Sequence, residues 1–182
     1  MKIKSETLIN ELIDLTKQNI TKIDALNQCS GANLNWRPTL ESWSILETIE
    51  HLNLYGYFYL PEINSCIEGT RSQADLYFKS GLLGNYFAES MLPKEKLNKM
   101  KTFKDKDPIG SQLDKQVITE CLKQQTQTIF LLNEARSVSL NRTKTAISIS
   151  RWIKLKLGDT LRVVVYHNQR HLVQVENILK DS

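Results

Sequence analysis

Three histidines in 182 residues, His51, His167 and His171, constrain this chain more than any other feature. His167 and His171 are four residues apart. In a helix that spacing stacks two rings on one face, about one turn apart, where both can reach a single ion. Thr160, Val163, Val164, His171, Gln174 and Ile178 all fall within about 60° of His167 on a helical wheel. That stripe is mostly apolar, so the pair faces inward. His51 shares its face with Ser44, Glu47, Thr48, Leu54, Tyr55 and Phe58, which also suggests burial. Burying three imidazoles with neither a metal nor polar partners is costly.

The rest of the chain supplies helices to carry these residues. Leu8, Leu12, Leu15, Ile20 and Ile23 recur at helical period, broadened by Ile9 and Ile13, and predict a first helix over Glu6 to Leu26. Asn27 to Trp43, with Gly31 and Pro38, reads as a loop. Ser44-Ile45-Leu46-Glu47 has the form of a capping box and opens a second helix, Ile45 to Cys66, which Pro61 kinks or ends. A third helix is expected over Ser111 to Arg136. Asp159 is a suitable N-cap for a fourth, running to Leu179. His51 lies seven residues past Ser44, and His167 eight past Asp159. If the second and fourth helices start at one end of a bundle, these depths agree to about one residue, or ~1.5 Å.

Two connections are long. Residues 68–110 contain Gly69, Gly81, Gly84, Pro93 and Pro108 together with Tyr77, Phe78, Tyr86, Phe87 and Met91. So much apolar bulk predicts an insertion that folds back over the bundle, with a short helix near Gly84 to Ser90. Ser137 to Gly158 alternates Ile147, Ile149 and Ile153 with polar residues, in an extended segment or a short strand. Four helices with two such connections suit an all-α four-helix bundle with crossovers, in one domain over residues 1–182.

Charge and cysteine usage narrow the class. Net charge is +4, and the basic run Lys94 to Lys106 is interrupted by acids, which reads as a solvated face and predicts no nucleic-acid partner. No stretch approaches ~18 apolar residues, so no membrane span is expected. Met1 to Leu15 shows no apolar core of a secretory signal. Cys29, Cys66 and Cys121 are an odd, widely spaced set, expected as reduced thiols in a cytoplasmic protein.

Three imidazoles leave coordination positions open, the layout of a site that accepts water or substrate. Imidazole suits Zn, Ni, Cu or Fe, with Zn or Ni the first expectation. Other residues have two readings each. Glu47, one turn before His51, is a general base or the capping-box acid. Tyr55, one turn after, lines the pocket or packs in the core. Trp43 walls the site or staples the helix start. Gln174 is the candidate to support a ligand or touch substrate. Arg170 pairs with an acidic ligand group or sits in a surface salt bridge. Cys66, fifteen residues from His51, is ~22 Å away along a helix, too far to ligate.

At these residues the chain resembles the DinB-like superfamily of metal-binding four-helix bundles. One matching segment runs from Pro38 through Trp43-Ser44 to His51-Leu52. The other runs from Leu157-Gly158-Asp159 through His167-Asn168-Gln169-Arg170-His171 to Gln174. The loop Met100 to Pro108 is similar to one branch of the family. The resemblance implies an up-down-down-up bundle, one divalent ion on His51, His167 and His171, and a homodimer. Some relatives transfer low-molecular-weight thiols. The reading expected here is a metal-dependent enzyme moving such a thiol to a small electrophile, with hydrolysis or non-catalytic metal sensing as the alternatives. No cysteine of the chain is placed as the nucleophile, so the thiol would be diffusible.

Overall fold

The computed structural model describes residues 1–93 and 102–181. Residues 94–101, which hold much of the basic run and the start of the Met100 to Pro108 loop, lie outside the described residues. The chain is mostly helical. Four long helices, α1 (Ser5–Ala25), α3 (Ile45–Gly69), α5 (Gln116–Glu134) and α6 (Leu157–Asp181), pack on one another, and two shorter ones, α2 (Gly31–Asn35) and α4 (Leu82–Met91), lie in the connections. Strands β1 (Lys2–Lys4) and β2 (Tyr77–Lys79) pair antiparallel, as do β3 (Lys144–Ile147) and β4 (Ser150–Lys156). The expected all-α class therefore gains two small sheets, and the expected loop over 27–43 holds a short helix.

The start of α3 follows from its sequence. The Ser44 hydroxyl accepts the Glu47 amide at 3.2 Å, and the Glu47 carboxylate accepts the Ser44 amide at 2.8 Å. The helix runs past Pro61 to Gly69. Proline removes the donor that would serve the Tyr57 carbonyl, but Pro61 and Tyr57 are both exposed, so water can serve it.

The core has two clusters. One joins Leu8, Leu12 and Ile13 of α1 to Leu60 and Ile63 of α3, Leu131 and Leu132 of α5, and Leu161 and Val165 of α6. The other joins Ile23 of α1 to Leu46, Ile49 and Leu52 of α3, Ile118 and Cys121 of α5, and Leu172, Val175 and Ile178 of α6. The N-terminal half of α3 thus meets the C-terminal half of α6, and the two helices run antiparallel. The matched-depth expectation, which needed them to start at one end, does not hold.

Its other premise also fails. Asp159 lies inside α6, two residues past its start, and does not cap it. Its Oδ2 accepts the Gly81 amide at 2.9 Å, so this carboxylate serves the start of α4 instead. The Ser80 hydroxyl donates to Oδ1, and Arg162 Nη1 reaches Oδ1 at 3.3 Å. Asp159 and Arg162 are both buried. Gly84 allows this approach, since a Cβ there would lie 2.3 Å from Asp159 Oδ2. At Gly158 a Cβ would meet the buried Phe78 ring at 2.6 Å, so glycine lets β2 pack on the start of α6.

The Ser137 to Gly158 connection is the β3–β4 hairpin. Thr145 pairs with Leu155, both buried, and the Thr145 hydroxyl bonds the Thr160 hydroxyl of α6 at 2.5 Å. A register shift between Ala146 and Ile147 turns the hairpin tip.

Candidate metal centre

His51 comes from the second turn of α3, and His167 and His171 from the middle of α6. The i,i+4 spacing sets the α6 rings 4.6 Å apart, and the His51 ring lies 5.1 and 4.6 Å from them. One nitrogen from each residue lies within 4.8 Å of the others. His51 Nε2 and His167 Nε2 are 3.3 Å apart. Two nitrogens bound at 2.0–2.1 Å to one tetrahedral ion would stand about 3.3 Å apart.

The outward nitrogens fix which atoms face the centre. His51 Nδ1 lies 2.7 Å from the Lys106 carbonyl, which can only accept, so Nδ1 carries the proton and Nε2 keeps a lone pair. His171 Nδ1 lies 3.0 Å from Gln174 Oε1, with the same consequence. Supporting partners of this kind orient metal-bound histidines. Burial lowers the His51 pKa to about 4 and that of His171 to about 3, and holds His167 well below the usual histidine range, with mutual repulsion adding to the effect at the α6 pair. All three are neutral at pH 7, the form that ligates. The donor set, tautomers and spacing fit a divalent ion.

The histidines open on a cleft of about 800 Å³. Trp43 forms one wall, its ring 4.5 Å from His51 and its Nε1 donating to Asp107 Oδ1 at 2.9 Å. Tyr55 packs against two of the histidines, its ring 4.9 Å from His51 and 4.7 Å from His167. Burial raises the Tyr55 hydroxyl to about 12, with Tyr59 and Asp105 adding to it. Gln174 and Arg170 also line the cleft. Arg170 is buried, so the surface salt-bridge reading does not fit its position.

Glu47 is not among the cleft-lining residues. Its buried carboxylate accepts the Ser44 amide, Arg37 Nε at 2.9 Å, Arg37 Nη2, and the Gly110 amide at 2.6 Å. Cys66 is also absent from the cleft. Burial pushes its thiol up to about 11 and that of Cys121 to about 12. Sequence reading missed the Lys106 carbonyl, Asp107 and the two residues that hold Glu47. A backbone carbonyl has no side-chain signature, and Lys106, Asp107 and Gly110 lie more than fifty residues from His51 and Glu47 in sequence.

Among the described residues, no helix is long and apolar enough to cross a membrane. No curated protein and no solved structure matches the chain. A family model described as the DinB superfamily matches residues 14–175.

Proposed function

The chain belongs to the DinB superfamily, and on that premise we propose that it binds one divalent ion, Zn or Ni, through Nε2 of His51, His167 and His171, and transfers a low-molecular-weight thiol to a small electrophile held in the cleft. The observation that carries this reading is the convergence of three neutral imidazoles, two with proton-bearing outward nitrogens, on an 800 Å³ cleft. A divalent ion bound there would lower the pKa of a coordinated S–H or O–H group toward neutrality.

The chain's own residues do the rest. The Lys106 carbonyl and Gln174 hold the His51 and His171 rings in their ligating tautomers. Trp43 and Tyr55 flank the histidines with aromatic rings. Tyr55, kept protonated by burial, lines the same cleft. Glu47, engaged by Arg37 and by two backbone amides, anchors the start of α3 and so the depth of His51. None of Cys29, Cys66 and Cys121 lines the cleft, which supports a diffusible thiol as the nucleophile.

The arrangement of the two core clusters supports the up-down-down-up bundle as one domain. The free cysteines suit a cytoplasmic protein, and a homodimer follows from the family reading. The test of the chemistry is a cobalt-substituted sample titrated with cysteine, glutathione and 2-mercaptoethanol. A thiolate-to-cobalt charge-transfer band, absent in His51→Ala, is the expected result. An unchanged spectrum with all three thiols removes the transferase reading and leaves hydrolysis or metal sensing.

A further inference from the structure

The connection between α3 and α5 gives the cleft a wall that holding a metal does not require. Phe87 and Met91, four residues apart on α4, line the cleft together with Tyr86 and Ser90. Gly84 and Ala88 on the same helix are buried. Leu82, on the opposite side, is 96% exposed.

This wall is fastened to the helix that carries two of the histidines. Gly81 N, the Ser80 hydroxyl and Arg162 all meet the Asp159 carboxylate, and Arg162 Nη1 also donates to Ser80 Oγ at 3.0 Å and Asn85 Oδ1 at 3.1 Å. Asp159 and His167 are eight residues apart on α6, about 12 Å. These bonds, with the packing of α4 on α6, fix the α4 wall relative to the histidines.

The rest of the lining carries Trp43, Tyr55, Ile147 and Val163 alongside the polar Ser148, Arg170 and Gln174. Among the charged residues of the lining, Asp107 is engaged by Trp43. A volume of about 800 Å³ accommodates a body of two or three aromatic rings.

We propose that the cleft takes a small molecule with an apolar, aromatic body, and that Phe87 and Met91 of α4 select it. This rests on the reading of the cleft as the substrate site and names the class of electrophile that site would accept. An aromatic body against these side chains removes apolar surface from water on both partners.

The test uses N-phenyl-1-naphthylamine, a neutral fluorescent probe, titrated into the full chain with and without bound metal. Saturable binding of one probe per chain is expected in both states. Phe87→Ala and Met91→Ala should each weaken it about tenfold, the loss of roughly one buried apolar contact. Phe87→Tyr, which keeps the ring, should retain it, and Leu82→Ala should bind as the wild type does. Absence of saturable binding overturns the proposal, as do wild-type affinity in both Phe87→Ala and Met91→Ala or an equal loss in Leu82→Ala. Because the probe needs no metal or thiol, its failure beside an intact cobalt–thiolate band sinks this inference alone. Probe binding without that band sinks only the transferase reading.

Discussion

Gln174 Oε1 lies 3.0 Å from His171 Nδ1, one turn along the same helix. The amide oxygen holds the imidazole in the tautomer that points Nε2 at His51 and His167. Gln174→Leu keeps the bulk and removes the acceptor. Metal affinity should fall about 10- to 100-fold with the fold intact. Competition against a metal chelator checks this, and unchanged affinity would show that Gln174 does not orient the ligand.

Glu47 presents a different case, since its carboxylate is already saturated by donors from Ser44, Arg37 and Gly110. Glu47→Ala loses a helix cap and leaves the Arg37 guanidinium without its partner. We expect a loss of about 2–4 kcal/mol in urea unfolding of the metal-free protein. A variant with wild-type stability but no activity would restore the general-base reading.

The depressed histidine pKa values make the metal-free protein sensitive to acid. His51, at about 4, and His171, at about 3, stay neutral in the fold, where burial disfavours the charged ring, while the unfolded chain takes up protons near 6.5. The unfolded state therefore binds more protons below that pH, and stability rises with pH. The contribution is complete above about pH 6.5 and is lost as pH falls toward the folded values. Urea midpoints at pH 7.5, 6.5 and 5.5 should decline in that order, and less steeply when the three histidines are replaced by Asn. A flat profile in the wild type would contradict the burial of neutral rings.

The α4 anchor gives a purely steric prediction. Gly84→Ala puts a Cβ 2.3 Å from the Asp159 carboxylate, which is buried and held by Arg162. Moving α4 outward should cost about 1–3 kcal/mol in thermal stability. It should also weaken probe binding while metal content stays at the wild-type level. Simultaneous loss of the metal would mean that α4 and the histidines are not separable.

What the sequence revealed was local. Amphipathic spacing identified the long helices, and Ser44-x-x-Glu47 located the start of α3 to the residue. The inward faces of His51, His167 and His171 were readable from the same periodicity. Relations between distant segments were not. The antiparallel run of α3 and α6 depends on which core residues meet, and cap-to-histidine counts carry no direction. Asp159 has the composition of an N-cap, yet its carboxylate accepts the Gly81 amide 78 residues upstream, a pairing with no local trace. Strands β1 and β2 are three residues each, too short for alternation to show. The His51 support is a backbone carbonyl, identical in every residue.

The central claim is that His51, His167 and His171 hold one ion. Elemental analysis after zinc loading and gel filtration tests it most directly. The account predicts about one ion per chain in the wild-type protein and a sharp drop in His167→Ala, measured on protein whose circular dichroism remains helical. Full stoichiometric metal in His167→Ala, or none in the loaded wild type, would contradict it.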